Sequence, residues 1–310
     1  MQEGSAGALA RLYRKEKMRI HRLIILLLAL VLIASAASCE VHFNAEKPAE
    51  LEKPADWEQR DLLRLTVLEF KGNDAMLLEV GGKKMLIDGG VRDKFKKRMN
   101  AWLERMDLKH VDVLFNTHPD RDHLEMMTYL VRNDLITADE FMSPYPEDSR
   151  NENQMAMVPE LRAHGIPYHQ LQNGDEFDFG GAHIRVYTWA EGSTPNDKSA
   201  IFHITYGNAT MLLTGDMTGR TAHWLIDNYP ADELKADIMK APHHGIIQMV
   251  HAFFMAVNPE FVFVTNTTGN TPALNEQLKR HVVYTHHSRG TIYLETDGTD
   301  WYITQKYQDV

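Results

Sequence analysis

From about Leu62 onward the chain alternates short runs of Leu, Val, Ile and Phe with glycine-bearing breaks. Leu63–Phe70, Ala75–Val80 and Lys84–Ile87 are separated by Lys71-Gly72-Asn73-Asp74 and Gly81-Gly82, a pattern that predicts consecutive antiparallel strands. Arg92–Met106 has another period: Phe95, Met99, Trp102 and Met106 fall on one helical face, a stripe suited to core packing. Val111–Phe115 is continuously apolar and predicts a buried strand, with a helix over Leu124–Val131 behind it. Further strands are predicted near Glu140–Met142 and over Ile166–Leu171, His183–Trp189, Asp237–Lys240, Phe261–Val264, Thr291–Glu295 and Trp301–Gln305, with a hairpin Ala200–Tyr206 and Thr210–Leu213 turning at Gly207-Asn208. Helices are predicted over Met155–Ala163, Thr218–Asp227, Ile247–Val257 and Ala273–Arg280. A strand-rich half, a polar turn and a second strand-rich half suit two sheets packed face to face with helices outside.

The first 61 residues break this pattern. Arg19, His21 and Arg22 precede the apolar run Leu23–Ala34, then Ser35-Ala36-Ala37-Ser38 and Cys39, the layout of a secretory signal over residues 1–38. Met18 is a candidate true start, since residues 1–17 fit no part of such a signal. The run is short for a bilayer span, which needs roughly 20 apolar residues. Cys39, the only cysteine of the chain, stands where a lipoprotein carries its lipid, although Ala36 replaces the usual Leu. Ordinary cleavage after Ala36, or an uncleaved anchor, are the alternatives. Residues 39–61 are rich in Glu, Lys, Pro and Ala, and are expected to be a solvated tether ahead of a folded domain at 62–310.

A chain of 310 residues with 44% apolar content can bury a full core, and one cysteine excludes an internal disulfide framework. Removing residues 1–38 takes away six Lys/Arg and two Asp/Glu, which leaves 27 basic against 41 acidic residues and a net charge of −14. Such a surface does not favour indiscriminate binding to nucleic acid or anionic lipid.

The candidate chemistry lies at the ends of apolar runs. His118, Asp120, Asp122 and His123 stand within six positions just after Val111–Phe115. A capped helix start would explain one carboxylate there, but not two flanking histidines. Asp216 closes Leu212-Leu213-Thr214-Gly215-Asp216, where a plain turn residue is the alternative, and His243-His244 closes Lys240-Ala241-Pro242-His243-His244-Gly245. Imidazole and carboxylate ligands without thiols favour zinc, manganese or iron. Two metals need one bridging carboxylate and several ligands serving one ion each. His286-His287 lies in a polar segment and is expected to be exposed; His164, His169, His183 and His203 read as surface or strand residues.

Residues 62–300 resemble a metallo-β-lactamase-fold domain, and within that fold the hydrolase domain of ComEC-type DNA-uptake competence proteins. The likeness runs through Leu68–Ala75, Met85-Leu86-Ile87-Asp88-Gly89-Gly90, Thr117–His123, Asn196-Asp197-Lys198-Ser199, Leu212–Asp216 and Lys240–Gly245. It implies a four-layer αββα sandwich of the α/β (α+β) class holding two divalent metal ions, zinc or else manganese. His118 and Asp120 would then hold the first metal, Asp122, His123 and His244 the second, and Asp216 would bridge. Asp88 would orient a ligand histidine. His243 would face the leaving group as acid or hydrogen-bond donor; with Asp122 it is the residue expected at the reaction itself. Asn196, Ser199 and Lys240 would support the substrate or a turn. No histidine obviously fills the fold's usual third-motif position, which leaves one of the strand pair His183 and His203 as an alternative ligand. The implied activity is phosphodiester hydrolysis by metal-activated hydroxide on a phosphate- or ester-bearing substrate, with nucleic acid as the family's suggestion. It would take place on the extracytoplasmic face of the cell membrane, with no protein partner evident. Alternatives are hydrolysis of teichoic-acid phosphorylcholine, a carboxylic ester or a lactone, and a surface binding lipoprotein without turnover. Departures fall near the substrate side: Asn73 stands in the usual Gly-Gln-Gly-Asp turn, Ile246 replaces Ser, and Asn270-Thr271-Pro272 replaces Gly-His-Pro.

Overall fold

Fifteen strands assemble into two sheets in the computed structural model, which describes residues 53–279 and 282–306. The first sheet has the order β15-β14-β1-β2-β3-β4-β5-β6, with β6 at Tyr168–Gln170, and the second β13-β12-β11-β10-β9-β8-β7, with β7 at Glu176–Phe179 and β8 at Ala182–Tyr187. In the first, β1 (Leu63–Val67), β2 (Met76–Val80) and β3 (Lys83–Ile87) are antiparallel, then β4 (His110–Phe115) and β5 (Thr137–Ser143) run parallel to β3. In the second, the hairpin β9 (Ile201–Tyr206) and β10 (Ala209–Leu213) leads into parallel β11 (Ile238–Lys240), β12 (Phe261–Val264) and β13 (Val283–His286).

Alternation along the strands sorts the side chains into layers. Leu77, Leu86 and Leu114 pack outward under α1 (Arg92–Arg105), α2 (Arg121–Arg132) and α3 (Glu152–Ala163), with Phe95, Met99, Trp102 and Leu130. Leu212, Met239, Val262 and Val264 do the same under α4 (Gly219–Asn228), α6 (His251–Val257) and α7 (Pro272–Leu278), where Leu225, Phe253 and Leu274 meet them; the four-residue α5 is Ala231–Leu234. The remaining strand faces meet each other, as where Phe115 of β4 lies edge-on to Phe202 of β9 with ring centroids 3.7 Å apart. The result is an αββα sandwich. Among the described residues no helix is long and apolar enough to cross a membrane.

Several expectations are corrected. The tether expected over residues 39–61 does not extend to Leu62. Trp57 is 1% exposed and packs on Tyr302 at 4.3 Å, and Arg60 pairs with Asp297 at 2.7 Å. Lys53 and Arg64 both pair with Glu295, so the chain from Lys53 onward is held against β14 (Thr291–Thr296) and β15 (Trp301–Lys306). The signal segment, Cys39 and the earlier tether lie outside the described residues. The helix expected from Ile247 begins only at His251, because the Met249 backbone is taken by Gln277: its N–H donates to Oε1, and its carbonyl accepts from Nε2. Strand β13 was not expected, and Met106 is 38% exposed at the end of its helix rather than buried in its stripe.

Candidate metal centre

The parallel strands β3, β4, β10, β11 and β12 all end at one rim of the sandwich, where Asp88, His118, Asp216, His243-His244 and Thr265 follow them in the chain. Ligands drawn from both sheets therefore meet at strand C-termini, as side chains do in open α/β folds generally. Tight turns supply the aim. His243 (φ 49°) and His244 (φ 51°) both have left-handed backbone, as does Asp88 (φ 55°), conformations that cost non-glycine residues free energy and cluster at functional sites. Gly245 continues the turn at φ +71°, where a Cβ would lie 2.5 Å from Leu274 and 2.7 Å from Val264, so only glycine fits.

His118, His123 and His244 are buried, and each has an Nε2 with no hydrogen-bond partner. Unpaired buried imidazole nitrogens are costly, and a metal ion satisfies them. His244 Nε2 lies 3.0 Å from Asp216 Oδ2 and 3.2 Å from Asp122 Oδ2; His123 Nε2 lies 3.2 Å from Asp216 Oδ2, and His118 Nε2 3.6 Å from Asp120 Oδ2. The His118 and His123 rings stand 4.0 Å apart. These six residues are therefore brought together, and their oxygen and nitrogen donors suit a divalent metal. Asp120 occupies the N-cap position of α2, yet its side chain makes no capping bond and turns toward His118 instead. Helix α2 starts three residues before the expected Leu124, which puts Asp122 and His123 on its first turn.

The other end of each imidazole is held. His123 Nδ1 donates to Asp88 Oδ2 at 2.7 Å, and Asp88 also accepts from the Thr117 amide and hydroxyl and from Asn116 Nδ2. His118 Nδ1 is 3.1 Å from the Thr117 hydroxyl. His244 Nδ1 faces Asp74 Oδ1 at 3.1 Å and Thr265 Oγ1 at 3.0 Å. Such outer partners fix tautomer and ring direction. Burial opposes charge on His123 and His244, but Asp216 with Asp88 or Asp74 outweighs it and holds both pKa values well above the ordinary imidazole value. Burial likewise opposes ionisation of Asp216, and His244 and His123 overcome it, holding the carboxyl well below the usual range.

The remaining candidates separate by exposure. His243 keeps 26% of its side chain exposed, with Nε2 3.3 Å from Asn196 Nδ2 and 3.8 Å from Asp216 Oδ2. Asp122 is 34% exposed. Ser199 is fully buried and accepts from the Asp216 amide at 3.2 Å, and Lys240 is fully buried against Asp74. Of the two uses open to them, substrate or turn, burial leaves the turn. His183 faces Asp178, and His203 Nε2 donates to the Lys235 carbonyl, so neither strand histidine reaches the centre. His286 and His287 are 4% and 0% exposed, contrary to expectation, because pairing of β13 with β12 and the turn that follows bury them. Asp74 was overlooked; its one signal was a carboxylate between a Gly-Asn turn and the apolar run of β2. Ile246 stands 48% exposed immediately after the His-His-Gly turn. Tyr145, whose hydroxyl donates to the Pro195 carbonyl, helps line a cavity of about 390 Å³ with Lys198, Thr188 and Trp224.

Residues 68–254 match the family model of the metallo-beta-lactamase superfamily. ComE operon protein 3 of Bacillus subtilis (strain 168) is 21% identical over 152 residues, which cover 48% of this chain and 19% of that much longer protein. Among solved structures, the metallo-beta-lactamase fold protein YhfI from Bacillus subtilis is similar over 76% of this chain and 100% of its own, at 12% identity and a TM-score of 0.50. A variant of the CmlA beta-hydroxylase of Streptomyces venezuelae is similar over 82% of this chain and 57% of its own, at 14% identity and a TM-score of 0.50. At these identities the two structures share the fold.

Proposed function

The chain belongs to the metallo-beta-lactamase superfamily, and from that premise we propose that it is a metal-dependent hydrolase of phosphodiester bonds, tethered outside the cell membrane through Cys39. The observation that carries the reading is the turning of three buried, unpartnered imidazole nitrogens toward the Asp120, Asp122 and Asp216 carboxylates. Two divalent ions, zinc or manganese, suit this sulfur-free donor set. His118 and Asp120 would hold one, Asp122, His123 and His244 the other, with Asp216 shared. When bound, the ions supply a nucleophilic water and take up charge on the ester oxygen.

The chain's own groups do the rest. Asp88 and Asp74 keep protons on the outer nitrogens of His123 and His244, which leaves the inner nitrogens as donors. Asp122, partly open to solvent, would hold the second ion through Oδ2 and would take a proton at its other carboxylate oxygen. His243 stands beside Asn196, 26% exposed, and faces the leaving oxygen as acid or hydrogen-bond donor. The cavity beside Tyr145 and Lys198 has room for the rest of the substrate, and the exposed Ile246 adds an apolar lip just after the His243-His244-Gly245 turn. An acidic exterior with an apolar lip favours a compact phosphodiester over a long nucleic acid, so phosphorylcholine-type esters rank beside DNA as substrates. A binding lipoprotein without turnover is the contrasting reading, supported by the changed substrate-side motifs.

The full-length protein, purified without chelator beside Asp122→Ala and Asp216→Ala, is expected to carry about two metal equivalents by elemental mass spectrometry, depleted in both variants. It should also cleave a member of a panel of chromogenic phosphodiesters, carboxylic esters and nucleic acids. Metal without turnover on any of them would favour the binding protein; no metal after reconstitution would remove the hydrolase reading. Separately, Cys39→Ala is expected to shift the protein from the membrane fraction to the medium, or to leave an uncleaved precursor. An unchanged membrane fraction of unchanged mass would exclude the lipid anchor.

A further inference from the structure

Asp74 Oδ2 lies 2.7 Å from Lys240 Nζ, and both side chains are 0% exposed. Asp74, His123, Asp216 and His244 each offer a ligand-type atom within 4.8 Å of the others, so proximity alone would count Asp74 as a metal ligand. The directions of the bonds say otherwise. Asp74 Oδ1 sits 3.1 Å from His244 Nδ1, whereas the Nε2 of the same ring faces Asp216 and Asp122. The two nitrogens of an imidazole point away from each other, so an oxygen that accepts from Nδ1 stands behind the ring as seen from an ion on Nε2.

We propose that Asp74 and Lys240 form a buried positioning pair that holds the His244 imidazole in one tautomer and direction, and that Asp74 does not bind metal. This rests on the reading of the site as a metal centre. Lys240 Nζ donates to the Gly215 carbonyl at 2.8 Å and to the Ala241 carbonyl at 3.3 Å, pairs with Asp74, and lies 3.7 Å from Asp216 Oδ1. Those carbonyls belong to the turns that carry Asp216 and His243-His244, so one ammonium ties the Asp74 turn to both ligand turns. It also cancels a carboxylate charge that burial would otherwise make costly. The His123 side is built differently, because the charge of Asp88 is met by the Thr117 amide, the Thr117 hydroxyl and Asn116, with no lysine or arginine paired to it among the described residues. Two carboxylate–histidine pairs thus hold the two fully buried imidazoles that face Asp216, and one of the two includes a lysine.

The test uses the full-length protein with cobalt(II) as probe, comparing wild type with two double variants, Asp74→Asn/Lys240→Met and Asp74→Leu/Lys240→Met. Both remove the paired charges together, so neither leaves a lone buried ion, and thermal unfolding of the metal-free forms checks that they fold. An Asn oxygen still accepts from His244 Nδ1; a Leu side chain cannot. The Asn double variant is therefore expected to keep cobalt affinity within about 10-fold of wild type, and the Leu double variant to lose about 10–100-fold with altered visible absorption bands. Equal and severe loss in both would make Asp74 a ligand and overturn the proposal. Unchanged affinity and spectrum in the folded Leu variant would reduce the pair to a packing role and overturn it too. A wild type that takes up no cobalt would refute the metal reading first, and this inference with it.

Discussion

Asp88 takes four hydrogen bonds on its two carboxylate oxygens, from Asn116 Nδ2, the Thr117 amide and hydroxyl, and His123 Nδ1. Asp88→Asn keeps the shape but loses the charge and one acceptor, so either Thr117 or His123 must let go. Metal affinity is expected to fall about 10–100-fold, measured by competition with a chromophoric chelator; wild-type affinity in this variant would mean that His123 is oriented by something else. The same residue scale explains what could be read ahead of the fold. His118, Asp120, Asp122 and His123 crowd one turn, and their chemistry is visible in the letters. Asp74 was invisible because it meets His244 across 170 positions of chain, and an aspartate in a turn has many ordinary uses. Thr117 and Thr265 were missed for the same reason: a buried hydroxyl announces itself only by what it touches.

At the scale of elements, periodicity located most strands and helices, and errors came where tertiary contacts override local pattern. The segment before His251 has helical spacing, but the Gln277 side chain takes both backbone groups of Met249 and keeps it out of the helix. Strand β13 reads Val-Tyr-Thr-His and is half polar, and its pairing with β12 outweighs its weak pattern. The N-terminal boundary failed because Glu, Lys and Pro dominate the composition there, while a few side chains, Trp57 in the core and Lys53 and Arg60 in ion pairs, dock the segment. Trp57→Ala is accordingly expected to destabilise the protein by about 3–5 kcal/mol in denaturant unfolding, as for other buried aromatics. A solvated tether would leave the midpoint unchanged.

For the molecule as a whole, burial leaves a signature in acid. It pushes the His287 imidazole down to about 3, and burial with the Arg289 charge pushes His286 down to about 4, against 6.5 for a free imidazole. Both are neutral when folded and protonate near 6.5 when unfolded, so their contribution to stability is complete above that pH and is lost as pH falls toward the folded values. In metal-free protein, the unfolding free energy of wild type minus that of His287→Leu should shrink by about 1.4 kcal/mol per unit between pH 6 and pH 4; a constant difference would place a charge on His287 in the native state. The sheet order carries a different consequence. β1 lies between β2 and β14, pairing Leu63 with Thr296 and Val67 with Ile292, so one of the earliest strands waits for one of the last. That contact closes a loop of most of the chain, which adds to the entropy barrier and slows folding relative to a protein of local contacts. Until residues 291–296 arrive, β1 is an uncovered edge able to pair with any extended chain. A chain cut before Thr291 would therefore fail first by sticking to its own copies, while the turns that carry the histidines were still intact.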